Sequence, residues 1–159
     1  MLPIKTILHP TDFSEPSRQA FRMACAVARD YGARVVVAHV MVLPLHAYRE
    51  FGPLLPDPET VEGEVRQSLE ALRPPHPAVP VEYRLCKGDA ATEIVALAED
   101  LKADLIVMGT HGRTGLRRLA LGSVAEVVLR RAPCPVLTVK AAFSAAAAPE
   151  QPAEEPAHA

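Results

Sequence analysis

ADLIVMGTHGRTGLRRLALGSVAEVVLRRAPCPVLTVK, residues 103–140, decides how the chain is read. ADLIVMG (103–109) is a nearly continuous apolar run, as in a strand covered on both faces. Ser123-Val124-Ala125-Glu126 has capping-box spacing and predicts a helix to about Arg131. Pro133 and Pro135 stop that helix, and PVLTVK (135–140) reads as the last strand. Between strand and helix, Gly109, Gly112 and Gly122 mark a loop that carries Arg113, Arg117 and Arg118 and no acid.

Working outward, the same alternation continues. IKTILHP (4–10) is a β-branched run ended by Pro10. Residues 14–31 predict a helix: Ser14 can cap it, Pro16 sits in its first turn, and Ala20, Ala24, Val27, Ala28 and Tyr31 recur at helical spacing. Gly32 ends it. RVVVAHVMV (34–42) predicts a central strand, and residues 43–58, with four prolines, a long loop. A helix is expected over 59–73 and is broken by the prolines from Pro74 on. VEYRLCKG (81–88) alternates and predicts an edge strand with one wet face. Asp89 caps a further helix with Ile94, Leu97, Ala98 and Leu101 on one face. Strands alternating with helices predict a doubly wound parallel sheet with helices on both faces.

The 159 residues allow one domain with a proper core. The formal charge of −2 is unevenly spread: residues 101–140 hold seven bases against two acids. A local basic excess on a near-neutral domain suits a small anionic ligand better than a nucleic-acid groove. Cys25, Cys86 and Cys134 are odd in number and lack C-x-x-C spacing, so they predict neither a disulfide framework nor a zinc site. The longest apolar run, 35–45, is too short to span a bilayer and is interrupted by His39 and Pro44. With no leader pattern at the start, a cytoplasmic protein is expected. We expect the domain to cover 1–140 and the Ala-, Pro- and Glu-rich residues 141–159 to form a disordered tail.

Parallel sheets bind ligands beyond the carboxyl ends of their strands, and the glycines follow such an end. Missing Cβ atoms let a ligand approach backbone N–H groups, and a helix start adds unpaired donors and a partial positive charge. Gly112, Gly122 and Ser123 can therefore cradle phosphate oxygens. The alternative is a glycine-rich surface loop in which Ser123 only caps its own helix. Neither G-x-x-x-x-G-K-[ST] nor G-x-G-x-x-G matches, because no lysine follows and the spacing differs.

Gly109-x-x-Gly112, nine further residues, then Gly122-Ser123, with the flanking DLIVM and APCPVLTV, resembles the universal stress protein family. ILHPTDFSEPS (7–17) and VVVAHV (35–40) resemble it too. The resemblance covers about residues 3–140, and the glycine spacing is similar to the family's ATP-binding branch. It implies a five-stranded parallel sheet in the order 3-2-1-4-5. It also implies that Pro10, Thr11 and Asp12 lie by the base and ribose and that the backbone of Val40 meets adenine. Met108 and Gly109 match the base and ribose region, and Gly112, Gly122, Ser123 and Val124 match the phosphate cradle. From their chemistry, Asp12 is an acceptor for a ribose hydroxyl or an adenine amino group, or else a helix cap. His111 can donate to phosphate or stay in solvent, and Arg113 is the loop arginine best suited to a phosphate. His9 and His39 read as satisfied structural histidines.

The expected function is therefore a nucleotide-dependent regulatory or interaction module of the stress response. It would bind ATP or AMP, with Mg²⁺ carried on the nucleotide's phosphates. Slow ATP hydrolysis or phosphoryl transfer, with His111 or Asp12 positioning water, is the alternative. No residue is assigned as catalytic and none as a metal ligand. The resemblance further implies a homodimer through the edge strand Pro135–Lys140.

Overall fold

Nine elements follow one another in the expected alternation, in a computed structural model that describes residues 3–42, 54, 56–110 and 121–140. They are β1 (Thr6–Pro10), α1 (Glu15–Tyr31), β2 (Arg34–Met41), α2 (Pro58–Glu70), β3 (Val81–Lys87), α3 (Ala90–Asp100), β4 (Leu105–Gly109), α4 (Ser123–Arg131) and β5 (Val136–Val139). The five strands are parallel and lie in the order β3-β2-β1-β4-β5. Thr6 pairs with Arg34 and Ile7 with Leu105, so β1 is the central strand. The chain winds to one side of it through β2 and β3, then crosses to the other side for β4 and β5.

Alternation of side chains across the pleat builds two cores. Ile7, Val35, Val37 and Val107 face α1 and α2, where they meet Ala20, Phe21, Ala24, Ala28 and Leu69. Leu8, Val36, Ala38 and Ile106 face α3 and α4, where they meet Ala91, Ile94, Ala98, Ala125 and Val128. Both faces of β2 are thus covered, which is why its sequence is apolar without a break. Ile7, Leu8, Val35, Val36 and Val37 are fully buried, each contributing about 1.5–3 kcal/mol relative to exposure. Small residues at 20, 24 and 28 let α1 lie close on the sheet without large side chains between them.

Several boundaries differ from expectation by a few residues. β4 starts at Leu105 because Asp104 turns its carboxylate back onto β1, accepting from the N–H groups of Lys5 and Thr6 at 2.9 Å each. Those two bonds hold the Asp104 carboxyl below its usual range, the Lys5 N–H contributing most. α2 starts inside the expected 43–58 loop, because Asp57 accepts from Thr60 N–H and caps Pro58 at the first helical position. Gly32 ends α1 as expected, with φ 65° in the left-handed region and its N–H donating to Ala28. β3 is an edge strand, and its outward Glu82 pairs with Arg34 and Arg84. The expected tail, 141–159, lies outside the described residues.

Candidate functional site, a cleft at the carboxyl end of the sheet

Where strand order reverses, the loops after β1 and β4 diverge and leave a crevice. A cleft of about 470 Å³ opens there, a size typical of small-molecule sites. Pro10, Thr11 and Asp12 line it from the end of β1, Ala38, His39 and Val40 from β2 with Val42 just after it, and Met108 and Gly109 from β4 with Thr110 just after it. Ala90 and Ile94 of α3 form one wall, and Gly122, Ser123, Val124 and Ala125 form the mouth of α4. Val40, Val42, Ile94 and Met108 make much of the wall apolar. Asp12 is the one charged side chain on it among the described residues.

Nine of the twelve residues named from sequence therefore share one cavity: Pro10, Thr11, Asp12, Val40, Met108, Gly109, Gly122, Ser123 and Val124. His111, Gly112 and Arg113 lie outside the described residues. The stems of that loop are pinned together, since Gly122 N–H donates to Thr110 O at 2.8 Å and Thr110 N–H to Val139 O at 3.1 Å.

The start of α4 corrects the capping-box expectation. Gly122, not Ser123, is the N-cap, and no side chain caps the helix. Ser123 is already the first helical residue. Glu126 does not reach back; it accepts from Arg130 at 2.7 Å on the exposed face. The other three helices begin under side-chain caps: Ser14 on α1, Asp57 on α2 and Asp89 on α3. The first-turn N–H groups of α4 thus meet no capping side chain and open onto the cleft, with the positive end of the helix dipole behind them.

Gly109 has a different reason to be glycine. A Cβ there would lie 3.2 Å from the backbone carbon of Pro16, a tight contact with backbone that has little room to give, so glycine eases the approach of β4 to the first turn of α1. Its backbone still lines the cleft.

The turn after β1 is braced throughout. Thr11 N–H donates to Ala38 O at 2.8 Å. Thr11 Oγ1 accepts from Phe13 N–H (3.1 Å) and Ser17 Oγ (2.9 Å). Asp12 Oδ1 accepts from both the N–H and the hydroxyl of Ser14, while Ser14 Oγ accepts from Ser17 N–H as the α1 cap. Asp12 therefore supports the cap from behind instead of being it. Phe13 is held at φ 65°, a costly conformation for a bulky residue, with its ring 4.6 Å from that of His39.

Both strand histidines have fixed tautomers. A carbonyl only accepts, so His39 Nδ1–H donates to Thr11 O at 2.7 Å and His9 Nδ1–H to Val107 O at 2.8 Å. His39 reaches the cleft as well, which the structural reading of it missed. His9 is wholly buried, stacked 5.4 Å from Phe21, and its Nε2 has no partner. It is thus only half satisfied, and burial pushes its pKa down to about 4 despite the Val107 bond. Cys25 is buried, with its thiol pushed up to about 11 by desolvation; Cys86 and Cys134 are half-buried, and all three are free.

Ser17, Ala38, Val42, Ala90, Ile94, Thr110 and Ala125 were also missed. Each is an ordinary core or loop residue in sequence, and only the fold, which brings α1, β2, α3, β4 and α4 to one end of the sheet, gathers them. Among the described residues no group of three or more His, Cys, Asp or Glu side chains could hold a metal ion, and no helix is long and apolar enough to cross a membrane.

Fold and cleft together define a doubly wound α/β protein with a cleft at the switch point of its sheet. The chain belongs to the universal stress protein family, whose family model matches residues 3–140. It is 40% identical to universal stress protein MJ0531 of Methanocaldococcus jannaschii over 139 residues, 86% of this chain and 82% of that one. The solved structure of MJ0577, from the same organism, aligns with a TM-score of 0.70 at 33% identity, covering 89% of this chain and all but 1% of the other. The universal stress protein from Archaeoglobus fulgidus solved in complex with dAMP aligns with a TM-score of 0.58 at 25% identity, covering 88% and 100%.

Proposed function

We propose that this protein binds an adenine nucleotide, ATP or AMP, in the switch-point cleft, and that occupancy regulates how it interacts with partners. The observation that carries the reading is the start of α4, at the mouth of the cleft: of the four helices among the described residues, it is the one whose first turn has no side-chain cap. An anion placed there meets unpaired N–H donors and the helix dipole. Ser123 adds a hydroxyl, Gly112 would join the cradle as the family resemblance implies, and His111 and Arg113 would add donors from their own chemistry. Val40, Val42, Ile94 and Met108 provide apolar walls for a base, and Pro10, Thr11, Asp12 and Gly109 border the sugar. The relative from A. fulgidus crystallised with dAMP supports an adenine nucleotide as the ligand class. Mg²⁺ would ride on the phosphates of bound ATP.

The working form we propose is a cytoplasmic homodimer of the 1–140 domain. β5 supports it: among the described residues the strand pairs with β4 alone, and Leu137 on it and Leu129 on α4 are 38% and 42% exposed. Open apolar edges tend to be covered.

Thermal unfolding with added Mg·ATP tests the reading. A ligand that binds only the folded state adds about 2.7 kcal/mol at a hundredfold excess over Kd, and the melting temperature rises accordingly. No shift, and no nucleotide carried through purification, would refute it. Phosphate release above the buffer blank would put the hydrolase reading in its place.

A further inference from the structure

We propose that Ser14 is a positioning residue for the cleft, orienting the Asp12 carboxylate so that its Oδ2 accepts a hydrogen bond from a donor on the bound nucleotide. The inference rests on the nucleotide reading of the cleft. Two bonds from one residue, Ser14 N–H at 3.0 Å and the Ser14 hydroxyl, converge on Oδ1 of Asp12. They fix the carboxylate in rotation and leave Oδ2 as the acceptor it can offer. Asp12 itself lines the cleft. The Ser14 hydroxyl has one proton and gives it to Asp12, while its lone pair takes Ser17 N–H. One side chain thus starts α1 and aims the one carboxylate that lines the cleft among the described residues.

The turn around this pair is rigid. Phe13 sits at φ 65° between them, its N–H on Thr11 Oγ1 and its ring against His39. His39 in turn holds the Thr11 carbonyl. A carboxylate held in this way recognises a donor at small entropic cost, which is the gain of preorganisation. An acceptor-only group also discriminates: it rewards a hydroxyl or an amine and leaves a ligand lacking that donor with nothing to offer it. Two donors on an adenine nucleotide have this chemistry, the ribose hydroxyls and the exocyclic amine.

The test is calorimetric titration of ATP, 2′,3′-dideoxy-ATP and purine-riboside triphosphate, which lacks the amine. Wild type, Ser14→Gly and Ser14→Thr are compared. Glycine is chosen because it serves nearly as well as serine at an N-cap, so helix stability changes little while the hydroxyl is lost. Wild type is expected to prefer ATP over one of the two analogues by about tenfold, the analogue identifying the donor. In Ser14→Gly that preference falls to about twofold, and Ser14→Thr restores it. A purely structural role would weaken all three ligands alike and keep the preference, and that result would overturn the proposal. So would a wild type that binds all three equally. Failure of wild type to bind ATP at all would instead bring down the nucleotide reading, and this inference with it.

Discussion

α3 and α4 both begin at the rim of the same cleft, Ala90 on one side and Ser123 on the other, and they begin in opposite ways. Asp89 accepts from the N–H and the hydroxyl of Thr92 and closes the start of α3. Those bonds hold its carboxyl below the usual range, the Thr92 hydroxyl contributing most. Gly122 brings no side chain to the start of α4. One end is answered from within the protein, and the other is left for something from outside. Stability alone would favour a cap at both places; on the nucleotide reading proposed above, α4 gives one up where phosphate would sit.

The strongest way to break the comparison is to make α4 start like α3. Gly122→Asp should supply the missing cap and raise the melting temperature. It should also place a carboxylate among the phosphate donors and weaken ATP binding on the order of a thousandfold. Calorimetry and thermal unfolding read the two effects, and a variant that keeps its ATP affinity would contradict the assignment.

Acid separates the core from the caps. His9 is held neutral by burial, with a folded pKa of about 4 against 6.5 when unfolded. As pH falls from 6.5 to 4, the unfolded chain takes up the proton first, so stability is lost over that window, by about 3 kcal/mol. Asp89, with its pKa lowered in the fold, keeps its contribution across that range. It loses it only as pH drops below the ordinary aspartate value. Urea unfolding at pH 7 and pH 4.5 checks this, and His9→Leu should flatten the difference. An unchanged slope in that variant would place the loss elsewhere.

A smaller effect separates the two glycines. Gly109→Ala forces Cβ against Pro16 and should cost about 1–2 kcal/mol of stability. Gly122→Ala, with φ −60° at the cap, needs no left-handed backbone and should cost less, mainly because alanine is a poorer N-cap than glycine. Equal losses in the two melting curves would erase the distinction. The smallest change expected is in Asp89→Ala, which should lower the melting temperature by a few degrees and leave ATP affinity as it was. Calorimetry showing a matching loss of affinity would mean that the capped start of α3 also takes part in holding the phosphates.

Much of this was legible in the sequence, for reasons that can be named. Strand and helix periods are local, so the five strands and four helices were readable, as was the edge position of VEYRLCK. Ser14, Asp89 and Gly32 are local signals too, and each acts as its type predicts. The start of α4 was misread because Ser123 and Glu126 satisfy the capping-box spacing. Spacing does not tell which backbone leaves the helix, and Glu126 found Arg130 one turn on. His39 was read as structural because its bond to Thr11 joins residues 28 apart in sequence. Ala90 and Ile94 carry no chemistry of their own and line the cleft only because α3 crosses above β2.

Amide chemical shifts on titration with Mg·ATP test the central claim most directly. With phosphate bound at the start of α4, the N–H signals of Ser123 and Val124 move most among the helix starts, while those of Ala91 and Thr92 under the Asp89 cap stay still. Shifts concentrated at the start of α3, or none at either helix while ATP binds, would contradict it.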